Sequence, residues 1–419
     1  MQTSHAADYA NKLLSGLGCA ERVDRLSDHP ALAWKRSGLL DTTKLMLSSP
    51  LASHADGALM ALKALSSQAE LPKSGALLMG ERVRLRGLVR QGRESAGGLG
   101  RILDTKDGRI AVNLVREDDW DLSPAWLEDN AEDWADITRI VKTRESDDLI
   151  TRASELGLAV AKVELPARPS DWLTINRFES GPTSQSPLIV DLSSLWAGPL
   201  ASNLLNLIGA RVIKIESPKR PDGARSGHEG FYSLLNAGKD CVALDFKNAG
   251  DLGQLKGLLS EANIVIEASR PRALQQLGIV AEEFVAAKPG MIWARITAYG
   301  RSENRIGFGD DIGVSAGLTS LMADAYDEPC FVGDAIADPV SGLHLALAIQ
   351  ALRLQGGGAV LDISMRDVLR YAMGDLPADP AKTAREWQTI ANQDNQPLYS
   401  LRSPVGAVKA SGADNGKWL

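Results

Sequence analysis

The stretch IADPVSGLHLALAIQAL, Ile336 to Leu352, sets one carboxylate, Asp338, at the start of an apolar helical run. Proline after it suits the first turn of a helix, where its missing N–H is not needed. The free N–H groups and the positive end of the helix dipole favour an anion there. On spacing alone Asp338 is a helix cap. An ionised carboxylate held at a helix end is also a competent nucleophile toward an acyl carbonyl. An earlier stretch, LASHADGALMALKAL from Leu51 to Leu65, repeats the opening. Ala52 matches Ala337, Gly57 matches Gly342, and Ser53 stands where the later copy has Asp338.

Other reactive patterns are weaker. GVSAG, Gly313–Gly317, fits G-x-S-x-G, but a nucleophile elbow needs a strand before the serine, and GFGDDI is no strand. Asp338 and His344 also lie too close together for the usual order of a triad. GLG before Arg101 and GFG at Gly307 do not complete G-x-G-x-x-G, so no dinucleotide fingerprint is present. The five histidines and three cysteines show no metal-ligand or disulfide spacing. A net charge of −7 disfavours nucleic acid as a general partner while leaving room for a local basic pocket. The start, MQTSHAADYANKLL, has no signal-peptide pattern, and no apolar run approaches the roughly 20 residues that span a bilayer. A cytoplasmic protein without membrane contact is expected.

The elements that position these residues alternate. PLIVDLS, RVIKIES, CVALDF, NIVIEAS and MIWARITAYG read as strands, with helical patterns between them. Such alternation implies βαβ units and a parallel sheet. GRILDTKDGRIAVNLV reads as a hairpin turning at KDGR. PARPSDWLTINRFESGPTSQSP, from Pro166, reads as a linker. The repeat is wider than one helix. ADYANKLLSGLGCAERVDRL echoes WAGPLASNLLNLIGARVIKI, and HPALAWKRSGL echoes GFYSLLNAGKD. Three echoes in one order point to a duplicated unit whose first copy is clipped.

Five stretches, VDLSSLWAGPLASNLLNLIGARVIKIESP, NAGKDCVALDFK, VIEASRPRALQQLG, IADPVSGLHLALAIQAL and GGAVLDISMRDVL, occur in that order. Together they resemble the class III CoA-transferases, the CaiB/BaiF family. GRESAGGLGRILDTKDGRIAVNLVREDDW is similar to that family's glycine loop and small-domain hairpin, and LRSPVGAVKASGADNGKWL to its tail. The order departs from the family, where the large domain comes first, the small domain second and the tail last. The expected fold is α/β: a Rossmann-like parallel-sheet large domain plus a small α+β domain. Residues 1–75 would be the truncated, mostly helical copy and 76–165 the small domain. Residues 166–186 would be the linker, 187–375 the CoA-binding large domain and 376–419 the tail.

The resemblance implies an acyl-CoA transferase in which Asp338 is the nucleophile, passing through an aspartyl anhydride and an aspartyl-CoA thioester. Ser53 could form neither. The family's CoA contacts fall on Trp196, Ala197, Leu244, Lys247, Ala268, Ser269 and Arg270. Trp196 stands where the formyl-CoA transferases have Gln. Ser217 stands where an adenine-stacking Arg is common, with Lys219 or Arg220 as substitutes. Gly97, Gly98 and Gly100 in SAGGLG would form the mobile glycine loop. The implied partners are acyl-CoA, a carboxylic acid acceptor and a second copy of the chain in a homodimer, with no permanently bound cofactor and no metal. Two rival readings stand beside this one. A 2-methylacyl-CoA racemase-like isomerase would need a histidine that falls at Gly309 or Asp310, and neither is His. A CoA-binding homologue without activity is motivated by the changed order and by Trp196 and Ser217.

Overall fold

The computed structural model describes residues 1–419 apart from 67–69, 90, 168 and 170. The chain opens with helices α1 (His5–Gly16), α2 (Pro30–Arg36), α3 (Leu51–Ala64) and α4 (Gly75–Arg86), with a two-residue ribbon of β1 (Gln2–Thr3) and β2 (Ser27–Asp28). α3 is buried on nearly every side, as its run of Ala and Leu demands, and forms the centre of this group. Side chains cap two of the others. His29 accepts from the Ala31 N–H at 3.2 Å and Ser74 from the Leu77 N–H at 3.2 Å.

The small unit follows. β3 (Gly100–Asp104), β4 (Arg109–Asn113) and β5 (Ala159–Lys162) form an antiparallel sheet. α5 (Ser146–Leu156) and shorter helices cover it around Trp126, Ile137, Ile140 and Val160. The hairpin turns at Thr105–Gly108, closed by Thr105 N–H to Gly108 O at 2.9 Å, where KDGR predicts it.

The large sheet holds β6 (Leu173–Arg177), β7 (Leu188–Asp191), β8 (Arg211–Glu216), β9 (Asp240–Ala243), β10 (Ile264–Glu267), β11 (Ile292–Thr297) and β12 (Ala359–Ser364). Their order is β6-β12-β11-β10-β7-β8-β9, and all pairs but β6–β12 are parallel. The chain steps outward from β7 to β8 and β9, then returns to β10 on the other side of β7. The order therefore reverses between β7 and β10, the place where open α/β sheets bind ligands beyond their carboxyl ends. The helices that matter here are α6 (Ala197–Leu207), α7 (Glu229–Asn236), α8 (Gly309–Ser315), α9 (Ala337–Leu354) and α10 (Met365–Met373). Leu255, Leu259, Val285 and Trp293 form a core on one face of the sheet. On the other face Leu204, Ile266 and Leu343 join Tyr9, Leu13, Leu59 and Met79 in a single core. The N-terminal helices are thus a layer of the large unit, packed through α3 against α9 and α10.

Two segments depart from the sequence-based expectation, and the tail takes a place that the sequence left open. The stretch read as a linker supplies β6, an antiparallel edge strand; Leu173 and Ile175 alternate inward, a period hidden by the surrounding Pro and Ser. Arg168 and Ser170 of that stretch lie outside the described residues. α4, assigned mostly to the small unit, packs instead in the first core through Ala76, Leu78 and Met79. The tail closes the far edge of the sheet. Asp414 accepts from the Cys241 N–H at 2.8 Å, and Asn415 accepts from the Ala243 N–H at 2.9 Å, which satisfies the edge groups of β9.

Candidate active site

α6 and α9 meet at their N-terminal ends because Gly342 lets them. A Cβ at Gly342 would stand 2.4 Å from the Ala197 carbonyl oxygen. This approach brings the Ala197 N–H to Asp338 Oδ1 at 3.3 Å. The other oxygen, Oδ2, lies against Gly309, where a Cβ would be 2.2 Å away. Asp338 is partly exposed between these two walls. Both loops that deliver the helices are strained. Leu195 (φ +67°) and Ala335 (φ +46°) occupy the left-handed region without being glycine. The Leu195 N–H is held by Asp222 Oδ1 at 2.9 Å, and Asp222 in turn pairs with buried Lys214 at 2.7 Å. The Ala335 N–H is held by Asp310 Oδ1 at 2.7 Å, and its carbonyl accepts from the Asp338 N–H at 3.0 Å. Such strain, about 1–3 kcal/mol per residue, survives where the surroundings over-determine it, and it clusters at functional sites.

Asp338 shares this corner with Asp310 and Asp311 of α8 and with Asp334. Arg82 of α4 stands among them. Its Nε donates to Asp334 Oδ2 at 2.7 Å and its Nη2 to Oδ1 at 2.5 Å. Its guanidinium lies over the Trp196 ring at 4.6 Å, and Trp196 meets Phe231 edge-on at 4.8 Å. Asp311 caps α8 through the Phe308 N–H at 2.9 Å and accepts from Asn113 Nδ2 at 3.1 Å. Burial pushes the Asp338 carboxyl up to about 6, against the pull of Arg82 and the Ala197 N–H. Burial does the same for Asp311, to about 6, and burial with the Asp334 charge raises Asp310 to about 7. At neutral pH the Asp338 carboxylate is mostly ionised, yet more basic than a solvated one.

The other sequence-derived residues lie at the carboxyl ends of four parallel strands. Trp196 and Ala197 follow β7, Lys219 and Arg220 follow β8, Leu244 and Lys247 follow β9, and Ala268, Ser269 and Arg270 follow β10. They are not equally accessible. Trp196 is 2% exposed under Arg82 and Phe231, and Leu244 is 1% exposed in the core, so their side chains shape the floor. Lys219 pairs with Asp245 at 2.6 Å, Ser269 Oγ donates to Glu267, and Lys247, Ala268, Arg220 and Arg270 are exposed. Arg270 lies on the small unit, where a Cβ at Gly157 would be 2.6 Å from its Nη2. Arg116, which the sequence did not single out, donates to Gly157 O at 2.8 Å. Burial, then the charges of Arg116 and Arg220, hold the Arg270 pKa below its usual value. Three guanidinium groups therefore converge where the small unit meets the end of β10.

The glycine loop is tied into the same chain. The Ser95 N–H donates to Gly100 O at 2.9 Å and the Gly100 N–H to Ser95 Oγ at 3.0 Å. Gly98 needs its left-handed φ of +77°, while a side chain at Gly97 would meet open space. Gly100 pairs in register with Asn113, the residue bonded to Asp311. The loop thus borders the acidic corner in cis. Ser315, the serine of GVSAG, closes helix α8 with its hydroxyl on Ile312 O at 3.1 Å, which is no nucleophile elbow. Among the described residues no imidazole faces Asp338: Gly309 has no room for a side chain, and His344 is bonded to Tyr9 at 2.8 Å.

Known proteins share this chain's large unit. A probable fatty acyl-CoA transferase of Mycobacterium tuberculosis is 30% identical over 251 residues, 53% of this chain and 64% of its own length. The acetyl-CoA:oxalate CoA-transferase of Acetobacter aceti is 30% identical over 194 residues, 43% of this chain and 50% of its own length. A CaiB/BaiF family protein structure from Brucella suis aligns with a TM-score of 0.43 at 25% identity, covering 52% of this chain and 60% of that one. The chain spans between half and two thirds of the length of these curated relatives. The model of CoA-transferase family III matches residues 187–407, a little over half of the chain and the whole of the Asp338 corner's large-unit part, and the chain belongs to that family.

Proposed function

We propose that this protein transfers coenzyme A between carboxylic acids through Asp338. The observation that carries the reading is the carboxylate itself: one oxygen on the Ala197 N–H, the other on a bare glycine, partly exposed at a helix N-terminus. An Asp338 oxygen attacks the thioester carbonyl, the C–S bond breaks, and CoA thiolate leaves an acyl–aspartyl anhydride. The thiolate attacks the aspartyl carbonyl, which frees the donor acid and leaves an aspartyl-CoA thioester. An acceptor carboxylate displaces the thiolate to give a new anhydride. The thiolate then takes the new acyl group and returns Asp338 to its start. The anhydrides must be kept from water, and the glycine loop at Ser95–Gly100 is the shield. Lys219, Arg220, Lys247 and Arg270 hold the phosphates, with Ala268 and Ser269 beside them and Trp196, Ala197 and Leu244 beneath. The substrates are an acyl-CoA and a free acid, with no resident cofactor, and the chains pair as a homodimer in the cytoplasm.

The test is exchange of 13C-labelled acid into its CoA ester, with acetyl-CoA/acetate and succinyl-CoA/succinate as first pairs and longer acyl chains after them. Label in the thioester supports transfer. Solvent deuterium at the α-carbon without label exchange identifies the isomerase instead. About 100 Kd of CoA should add about 2.7 kcal/mol of stability. No melting shift with CoA or any acyl-CoA removes the reading altogether, and a monomer by light scattering removes the homodimer.

A further inference from the structure

α4, the last of the N-terminal helices, ends at the corner where Asp338 sits. Arg82 projects from it with its planar fork on Asp334 and its flat face on Trp196. Asp334 directly precedes Ala335, whose carbonyl takes the Asp338 N–H. Trp196 directly precedes Ala197, whose N–H takes the Asp338 carboxylate. One guanidinium therefore clamps both strained loops at once, which a lysine, with neither fork nor face, could not do. The helix that carries it is anchored separately: Glu81 pairs with Arg402 at 2.7 Å, and Arg402 also reaches Asn203 at 3.1 Å.

We propose that Arg82 is a positioning residue for Asp338, supplied by the last N-terminal helix to lock the Asp334–Ala335 turn and the Leu195–Ala197 loop around the carboxylate. This rests on the reading of Asp338 as the acyl carrier. It gives the N-terminal helical layer a task beyond packing. The charged groups facing this corner are Arg82 from α4, Asp310 and Asp311 from α8 and Asp334 from the turn, with the Ala197 N–H from α6. Without Arg82 the Asp334 and Asp311 charges act on Asp338 with no counter-charge among the groups named, so its proton must be held to higher pH.

The test uses Arg82→Gln, Arg82→Lys and, as a control on the tail residue that anchors the same helix through Glu81, Arg402→Gln, each in the full chain. Infrared titration of the carboxyl stretch, each protein minus its Asp338→Asn counterpart, reads the Asp338 midpoint without substrate. Label exchange with the pair found active reads kcat and KM. Arg82→Gln should raise the midpoint by about one pH unit. It should lower kcat at least about tenfold with KM for the thioester little changed. Arg82→Lys should recover most of the midpoint and little of kcat. Arg402→Gln should melt lower yet move neither. A parental midpoint and kcat in Arg82→Gln overturns the proposal, as does Arg402→Gln reproducing its losses. Should Arg82→Gln fail to fold, a parental kcat in Arg82→Lys overturns it equally. An inactive Asp338→Asn beside an unaltered Arg82→Gln removes only the positioning role, whereas an active Asp338→Asn removes the acyl-carrier reading beneath it.

Discussion

The chain builds the same helix crossing twice and enters it in two different ways. In the first copy α1 and α3 meet at Gly57, where a Cβ would stand 2.4 Å from Ala6 O; in the second α6 and α9 meet at Gly342, 2.4 Å from Ala197 O. The crossings are alike, but the loops ahead of them are not. Ser4 (φ −86°) and Pro50 (φ −72°) lead into the first crossing in relaxed backbone. Leu195 (φ +67°) and Ala335 (φ +46°) lead into the second in the left-handed region. Ser53 is fully buried, its hydroxyl 3.4 Å from Asp28 O, while Asp338 is partly open. A shared scaffold with strain within two residues of the helix start at one copy, and no nearer than Lys44 (φ +58°) at the other, is what separates a site from a packing unit.

The comparison breaks most sharply at the carboxylate. Asp338→Asn keeps size and an oxygen for the Ala197 N–H but no anionic nucleophile, so label exchange should fall at least about a thousandfold with the circular dichroism unchanged. Substantial remaining exchange would make the two copies chemically equivalent. Next come the crossings. Gly57→Ala and Gly342→Ala each force a methyl onto a carbonyl, at about 1–3 kcal/mol. Denaturant melts should show similar losses for the two. Exchange activity should drop further only in Gly342→Ala, where Ala197 is pushed from Asp338. Equal activity losses would mean that the first crossing also serves the chemistry.

Titration sharpens the contrast further. The folded Asp338 carboxyl titrates near 6, above the ordinary value of 3.8, so the folded chain binds the extra proton between those values. Its contribution to stability therefore falls as pH rises through that window and stays lost above it. Asp338→Asn should be more stable than the parent at pH 8, by about 1–2 kcal/mol after allowance for solvent at a partly open group, and no more stable at pH 4. Thermal melts at the two pH values decide this. The parent's kcat should fall about tenfold per pH unit below 6 as the nucleophile gains its proton. The smallest effect is at the first copy: Ser53→Ala should cost under about 1 kcal/mol and leave exchange unchanged. A loss of exchange there with stability intact would give Ser53 a role that a scaffold does not have.

Much of this was legible in the chain. β-branched runs and helical runs alternate because each element must bury its own face, and that period survives in sequence. Asp338 stood out because a helix opening has local rules, and the echo stood out because it preserved Ala and Gly at close-packed positions. The β6 edge strand was hidden because edge strands need only half their residues apolar, and Leu173 and Ile175 sit among Pro, Ser and Asn. Arg82 was hidden among the other arginines of ERVRLRG, whose spacing does not say which one turns inward. Arg116 was hidden in the same way, since its partner surface is Gly157 and the end of β10.

By itself, then, the sequence determined the α/β alternation, the doubled helix opening and the one acid at its second copy. These are set by neighbours within a few residues, through periodicity, caps and proline. Only the tertiary structure decided that Trp196 lies under a guanidinium, that the tail seals β9, that the glycine loop borders the acidic corner in cis, and that the last N-terminal helix reaches this corner through Arg82. Those contacts join segments far apart in the chain. They depend on which face each helix turns to a common core, and they leave no local period to read.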